Sequence, residues 1–560
     1  MGARGVLRFL RRYRVQSVVG PLFKLLEAIF ELIVPMLMAR LIDLGVRRGD
    51  AGVVMATAGW MVAMAALGLI CSVTAQFLAA RAAMGFGAEL RGALFAKVAS
   101  LSHGQLDALG ASTLITRLTA DVDRSQSGVN MTLRLLLRSP FIVVGALAMA
   151  LTIDAKLSLI FLAATALAGA MIWWVTRRTL PMYRAVQARV DVLSRLAREA
   201  LRGVRVIRAF SRQQGEAERF DAEAAGIERA QAAAGLIAAL SSPATYAVAN
   251  LAIAALLWYG GGRADRGLIS QGNLVALINY MSQILLALSA LTLLIVILVR
   301  ALASASRLGE LLAIQPDMAD GPGAACVPGA PRVAFENVSF RYAGGQGDAL
   351  HGLSFRAMPG QTVGVIGGTG AGKTTLVSLM PRFYDATEGR VLIDGVDARD
   401  WKLAALRAKV AVAPQQPALL TGSIRDNLTL GAPDADDEAL WRALDAAQAG
   451  DFVRARDGGL NAALTQGGAN LSGGQRQRLS IARALVGRPD ILILDDSASA
   501  LDYLTDLKLR RALPGALPGA VVVVVSQRAS AVRDADFILV LDEGRLAAIG
   551  DHGQLMQTCE

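Results

Sequence analysis

Cysteine is nearly absent from this chain, with three residues in 560. Three thiols build no disulfide framework and no structural zinc site: Cys71 lies in an apolar run, Cys326 in a Pro/Gly-rich stretch and Cys559 beside the C-terminus. Histidine is equally scarce: His103, His351 and His552 are the whole supply. Charge is also low, at 18% of residues against 54% hydrophobic, with a mean hydropathy of +0.44. These values lean away from an ordinary soluble protein and exclude a disordered one, because disordered chains are poor in apolar residues.

The charge that is present is unevenly placed. Residues 331–560 hold 24 Lys+Arg against 26 Asp+Glu, so the formal net charge of +11 comes from residues 1–330, with 33 against 20. The basic half is also the apolar half, which points to a membrane protein with basic cytoplasmic loops. Nucleic acid is not expected as a partner, since long apolar runs interrupt the basic segments.

A transmembrane helix needs about 20 mostly apolar residues. Val53–Ala80, Ala232–Gly262 and Gly267–Val299 contain no charged residue, and Ser139–Thr176 is interrupted only by Asp154 and Lys156. With a weaker first segment containing Lys24, Glu27 and Glu31, the pattern predicts six spans, at about 18–43, 53–80, 130–153, 157–177, 236–260 and 267–299, in a membrane domain of residues 1–315. The segment between spans 4 and 5 is rich in arginine, from Arg177 to Arg229, whereas the turn between spans 3 and 4 offers only Lys156. The arginine-rich side and both termini are therefore expected in the cytoplasm of a cell with this chain in its inner membrane. The basic N-terminus is read as the start of an uncleaved first span. The long connections around 81–134 and 177–231 have helical periodicity, with turns expected at His103–Leu118 and Ala209–Gly215. Glu27 and Glu31 on span 1 read either as functional intramembrane carboxylates or as partners in interhelical ion pairs. Trp173 and Trp174 fit an interfacial belt.

Residues 316–331 carry four prolines and three glycines and read as a linker. Beyond it, short β-branched runs alternate with helical patterns over 332–560, predicting an α/β domain. Gly367, Gly368, Thr369, Gly370, Ala371, Gly372, Lys373, Thr374 and Thr375 form a P-loop between the strand at 361–366 and an apolar helix. Its backbone N–H groups suit phosphate oxygens, Lys373 the β/γ-phosphates and Thr374 a Mg²⁺ ion. Asp495 ends the hydrophobic strand at 491–494 and supplies a carboxylate for the metal. ATP and Mg²⁺ are the expected cofactors.

Leu471, Ser472, Gly473, Gly474 and Gln475 spell LSGGQ between the P-loop and that strand. Here the whole chain resembles the ATP-binding cassette (ABC) transporters, specifically the exporter-type half-transporters with six spans fused to one nucleotide-binding domain. The resemblance implies that Tyr342 stacks on adenine, that Gln415 lies near the metal and the γ-phosphate, and that Asp502 belongs to the D-loop. It places coupling segments at Ser112 and Thr113 and at Phe210, Ser211 and Arg212. It also implies a head-to-tail dimer in which each signature grips the ATP held by the partner's P-loop.

Two positions depart from the family pattern. Asp496 stands where the family has a catalytic Glu, and Gln527 where it has a switch His. Asp is shorter than Glu by one methylene, about 1.5 Å, and a misplacement of about 1 Å can cost ~10²-fold in rate. Gln can hydrogen-bond a phosphate but cannot carry a proton or a positive charge. With every binding motif intact, the chain resembles the degenerate-site subunit of heterodimeric bacterial multidrug exporters. The expected partners are a second half-transporter, membrane lipid and a small amphipathic substrate such as a drug or lipid. A homodimeric exporter with working Asp and Gln, and a regulatory membrane ATPase subunit, stay open as alternatives. No extracytoplasmic domain or N-terminal peptidase is recognised, which argues against a peptide-processing exporter.

Overall fold

The computed structural model describes residues 2–323, 325–345 and 347–558, so Cys559 lies outside the described residues. The chain divides into two compact units: Met1–Lys97 with Ser112–Ile314, and Val98–Ala111 with Gln315–Glu560.

The first unit is helical. Among the described residues, five helical stretches are long and apolar enough to cross a membrane: Ala51–Ala99, Ala111–Ile153, Ala155–Arg202, Gln213–Asp265 and Gln271–Ala313. The Arg14–Arg40 helix, the expected first span, has the length for a crossing, with 27 residues or about 40 Å, but three charges interrupt its apolar stretch. Those charges are paired. Lys24 is buried, its Nζ lies 2.5 Å from Glu27 Oε2, and it donates to Ser72 Oγ at 3.1 Å. Arg138 donates to Glu31 Oε2 at 2.7 Å. The ion-pair reading of Glu27 and Glu31 is therefore the one the geometry supports, and the pairs join spans 1, 2 and 3.

Pro35 lies inside the same helix and removes the N–H that would pair with the carbonyl four residues earlier, that of Glu31. Gln283 Nε2, from span 6, donates to this carbonyl at 3.2 Å. The buried Tyr280 hydroxyl donates to the Leu32 carbonyl at 2.8 Å one helical step on. Farther along the span 3 helix, Arg117–Asp121 winds as a π-turn. Asp121 is buried there and accepts from Arg307 Nη2 at 2.5 Å, Arg307 Nε at 3.0 Å and Ser304 Oγ at 3.0 Å. A buried carboxylate needs such partners to offset its desolvation.

The second unit is α/β. A six-stranded sheet runs β12 (Arg545–Gly550), β11 (Phe537–Asp542), β3 (Thr362–Gly367), β10 (Val521–Val525), β9 (Ile491–Asp495), β6 (Val410–Ala413), with all neighbours parallel except β12. A four-stranded antiparallel sheet runs β2 (Leu350–Ala357), β1 (Val333–Phe340), β4 (Glu388–Ile393), β5 (Val396–Asp397), and β7 (Gly422–Ser423) pairs antiparallel with β8 (Ala463–Leu464). The parallel strands are covered on both faces, which is why β9 and β10 read as unbroken apolar runs.

The Pro/Gly-rich segment expected as a linker is tied down: Gly321, Gly323 and Val327 donate their N–H groups to the carbonyls of Trp401, Asp400 and Asp394. Val98–Ala111 groups with the ATPase-like unit. Its His103–Leu109 helix starts from a Ser102–Gln105 capping box.

Asp121→Ala should destabilise the detergent-solubilised protein by roughly 3 kcal/mol. That is the low end for breaking a buried pair, because Arg307 is partly exposed. Asp123→Ala removes an exposed partner of Arg91 and should change stability by under about 1 kcal/mol. Thermal unfolding followed by tryptophan fluorescence compares the two; equal losses would contradict this account.

Candidate nucleotide site

The parallel order places three strand ends side by side. Val365 of β3 and Asp495 of β9 both register with Val525 of β10. The ladder continues one step further, with Ser526 N–H donating to Val365 O and Asp496 N–H to Val525 O, each at 3.0 Å. The P-loop, the Asp495–Asp496 pair and the Ser526–Gln527 turn therefore meet at one edge.

Glycine is required in the P-loop for two reasons. Gly372 caps the Lys373–Leu379 helix at φ 93°, and a Cβ there would lie 2.8 Å from the Ala349 carbonyl oxygen. Gly367 lies so close to β11 that a Cβ would meet the Leu541 carbonyl oxygen at 2.3 Å. Lys373 is buried and donates to the carbonyls of Gly367 at 2.9 Å and Gly368 at 2.7 Å, spanning the loop it belongs to.

Thr374 Oγ1 donates to Asp495 Oδ1 at 3.2 Å. Burial pushes the Asp495 carboxyl above the usual carboxylate range, with Asp496 adding to the rise and the Thr374 hydrogen bond and Lys373 opposing it. A buried carboxylate beside a hydroxyl, with its charge incompletely offset, fits a hard divalent cation that takes oxygen ligands. No cluster of three or more His, Cys, Asp or Glu side chains suited to a metal occurs among the described residues. The donor set therefore suits Mg²⁺ sharing its coordination with phosphates and water rather than an all-protein cage.

Asp496 is half-buried at φ 44°, a left-handed conformation that Asp tolerates better than most residues. Gln415 Nε2 donates to Asp496 Oδ2 at 3.2 Å. Gln527 is exposed on the turn after β10.

The signature residues begin a different helix. Ser472 caps Gly473–Val486, accepting from Gln475 N–H at 3.2 Å and donating its own N–H to Gln475 Oε1 at 3.0 Å. Among the described residues, no hydrogen bond joins this signature to the P-loop. A Cβ on Gly473 would meet nothing within 4 Å, so the face is open to a ligand. Asp502 caps the Tyr503–Ala516 helix by accepting from Thr505 N–H.

Tyr342 is partly exposed, with its hydroxyl 3.0 Å from Thr375 Oγ1 and its ring edge-on to Phe340 and Tyr384. Tyr384 donates to Asp107 Oδ2 at 2.7 Å, and His103 stacks on Phe383 with ring centroids 4.3 Å apart. Burial pushes the His103 imidazole below its usual range, aided by Arg407 and opposed by Asp107. His103 and Asp107 thus carry the first connection's contact with the ATPase-like unit. Ser112 and Thr113 lie beyond that contact, on the exposed Ala111–Thr116 helix. Phe210, 74% exposed, precedes Ser211 at φ 54° and then Arg212, in the turn between the two helical halves of the second connection.

Sequence reasoning missed two contributors. Gln477 is buried and donates to the Pro414 carbonyl at 3.1 Å, fixing the segment that carries Gln415 to the signature helix. Its signal was a polar residue on the inward face of that helix. Tyr384 had no local signal, since its partner lies 277 residues away.

Residues 18–288 match the family described as ABC transporter transmembrane region, and residues 350–499 that described as ABC transporter. An uncharacterized ABC transporter ATP-binding protein of Mycobacterium tuberculosis is 36% identical, covering 98% of this chain and 95% of its own length. The ATP-dependent lipid A-core flippase of Chromohalobacter salexigens is 32% identical over 93% of this chain and 90% of its own. A fatty acid ABC transporter ATP-binding/permease protein of Mycobacterium bovis is 34% identical over 82% and 73%. Among solved structures, a bacterial Atm1-family ABC exporter with ATP bound superposes with a TM-score of 0.81 at 25% identity, covering 98% of this chain and 97% of that one.

Base–aromatic stacking is worth about 1–3 kcal/mol. Tyr342→Ala should therefore weaken ATP binding roughly 5- to 150-fold, whereas Tyr342→Phe, which loses only the bond to Thr375, should stay within a few-fold of the wild type. Titration with a fluorescent ATP analogue checks this, and equal losses would show that the hydroxyl rather than the ring carries binding.

Proposed function

The chain belongs to the ABC transporters, as an exporter-type half-transporter with its membrane region fused to its ATPase domain, and from that premise we propose that it is one subunit of a heterodimeric exporter of amphipathic compounds, drugs or lipids. It binds ATP and Mg²⁺ in a slowly hydrolysing site of its own and lends its signature to a competent site on the partner. The nucleotide-binding domain and both termini face the cytoplasm at the cell membrane, as the arginine-rich segment between spans 4 and 5 requires. Arg14–Arg40 is the first of six spans.

The observation that carries this reading is the pair Asp496 and Gln527 beside an intact binding apparatus. In this reading Lys373 and the P-loop amides take the phosphates, Thr374 and Asp495 the metal, and Tyr342 the adenine. Polarising the attacking water falls to Asp496, a methylene shorter than the family's Glu, with its carboxylate engaged by Gln415. Gln527 offers a neutral amide where the family has an imidazole. Ser472, by contrast, caps its helix as an unaltered signature should, by holding the Gln475 N–H, and the Gly473 and Gly474 N–H groups at the helix start are the ones offered to a partner's phosphate. The lipid A-core flippase and the fatty acid transporter among the relatives support a lipid-like cargo.

One observation favours a homodimeric exporter instead. Asp496 has a left-handed backbone, φ 44°, so its carboxylate leaves the chain from a different direction than a side chain in the ordinary strand conformation would.

The purified chain alone should bind ATP and turn it over little; brisk Mg²⁺-dependent hydrolysis, abolished by Lys373→Ala, would support the homodimer. In the assembled complex, Ser472→Ala should reduce ATPase by about 10²–10³-fold, the usual cost of losing a donor to transition-state charge. Asp496→Asn should reduce it several-fold at most. Both variants must first co-purify with the partner in normal yield. Equal loss in the two would show that both sites hydrolyse or are tightly coupled.

A further inference from the structure

The seam between the Ala155–Arg202 and Gln213–Asp265 helices opens into a groove at each end. At the first, a hollow of about 930 Å³ is lined by Trp173, Trp174, Arg177, Arg178 and Ile237. At the second, a hollow of about 520 Å³ is lined by Lys156, Ile160, Trp258, Tyr259, Arg263 and Arg266. Each combines exposed aromatic rings with cations. Between them, a cavity of about 740 Å³ is lined by spans 4, 5 and 6 and includes Ile172, Tyr246, Asn250, Ser282, Ser289 and Thr292.

The spacing is that of a bilayer. Lys156 and Arg177 lie on one unbroken helix, 21 residues or about 32 Å apart, and a hydrocarbon core is about 30 Å thick. Each groove therefore sits at the depth of a headgroup layer, with the cavity between them at the depth of the acyl chains.

The cations are available. Arg177 lies over the Trp173 ring at 5.1 Å, which leaves its edge donors free. Among the described residues, neither Arg177, Arg178, Lys156 nor Arg266 has a carboxylate partner. Other charges in or beside the spans are met differently: Lys24 and Arg138 by Glu27 and Glu31, Arg134 by the Gln76 amide oxygen, and Arg263, in the second groove itself, by Asp154 at 2.5 Å. Membrane topology accounts for arginines at the cytoplasmic end but not for unpaired cations at the far end.

The central cavity has no charged lining residue. Ser282, Ser289 and Thr292 donate their hydroxyl protons to backbone carbonyls of their own helix, so each offers lone pairs but no free proton. An ionised headgroup finds no counter-charge there and finds one at either end.

We infer that the seam of spans 4 and 5 is the path of an anionic amphiphile, a phosphate or carboxylate headgroup on acyl chains, which Arg177 and Arg178 take up at one interface and Lys156 and Arg266 receive at the other. This rests on the exporter reading and narrows its cargo class.

The test uses the complete complex in nanodiscs, with tryptophan quenching by brominated phosphatidylglycerol, brominated fatty acid and brominated phosphatidylcholine. Each arginine near a headgroup is worth about fivefold, so an anionic probe should bind about 25-fold tighter than phosphatidylcholine. Arg177→Gln with Arg178→Gln should abolish that preference while basal ATPase in phosphatidylcholine nanodiscs stays unchanged. Lys156→Gln with Arg266→Gln, in the same basal background, should slow ATP-driven movement of fluorescent phosphatidylglycerol across vesicles. Preference for phosphatidylglycerol identifies a phospholipid path, and preference for the fatty acid alone a carboxylate path. Equal quenching by all three probes, or a preference that survives Arg177→Gln with Arg178→Gln, overturns the inference. ATP-driven movement of a neutral fluorescent amphiphile is measured alongside: if it persists when the inference fails, the exporter reading stands, and if no probe moves, that reading fails separately.

Discussion

The ATPase unit depends on one strand, β10, wedged between β3 and β9. Its five valines are buried on both faces, so its position is set by packing as well as by the ladder. Parallel pairing on each side aligns three strand ends that are far apart in sequence: the P-loop near 367, the carboxylates at 495 and 496, and the turn at 526. A shift of β10 against either neighbour would separate Asp495 from the Thr374 hydroxyl that donates to it. The Asp496 and Ser526 amides, which extend the ladder beyond the strands, lock that alignment where the chemistry begins.

The membrane unit faces the complementary constraint that polar groups in hydrocarbon need partners; the charges around span 1 find them, while Ser139 Oγ, Arg138 Nε and Gln283 Oε1 are buried without a hydrogen-bond partner among the described residues. Pro35 frees a carbonyl and Gln283 takes it. Lys24 and Glu27 neutralise each other one turn apart, and Arg138 reaches Glu31 from span 3. These substitutions of one partner for another join span 1 to spans 2, 3 and 6, although by composition span 1 is the least convincing membrane segment of the chain.

What could be read from the sequence follows from how local each feature is. The P-loop and the signature are contiguous, and their residues act through backbone amides that any such run presents. Asp495 could be placed because a hydrophobic strand delivers it. Asp496 and Gln527 stood out as departures because their neighbours were regular. The contact of Tyr384 with Asp107 and the stacking of His103 on Phe383 join segments hundreds of residues apart, and neither segment has a pattern that names the other. The Pro/Gly-rich stretch at 316–331 reads as a linker because composition reports the absence of regular structure. It does not report irregular backbone hydrogen-bonded to a neighbour.

The inclusion of Val98–Ala111 in the ATPase unit means that the chain passes between the two units three times, at 97/98, 111/112 and 314/315. The first of these crossings falls inside the Ala51–Ala99 helix, whose 49 residues make a rod of about 74 Å. One boundary between the units is thus spanned by α-helical hydrogen bonds and not by a loop.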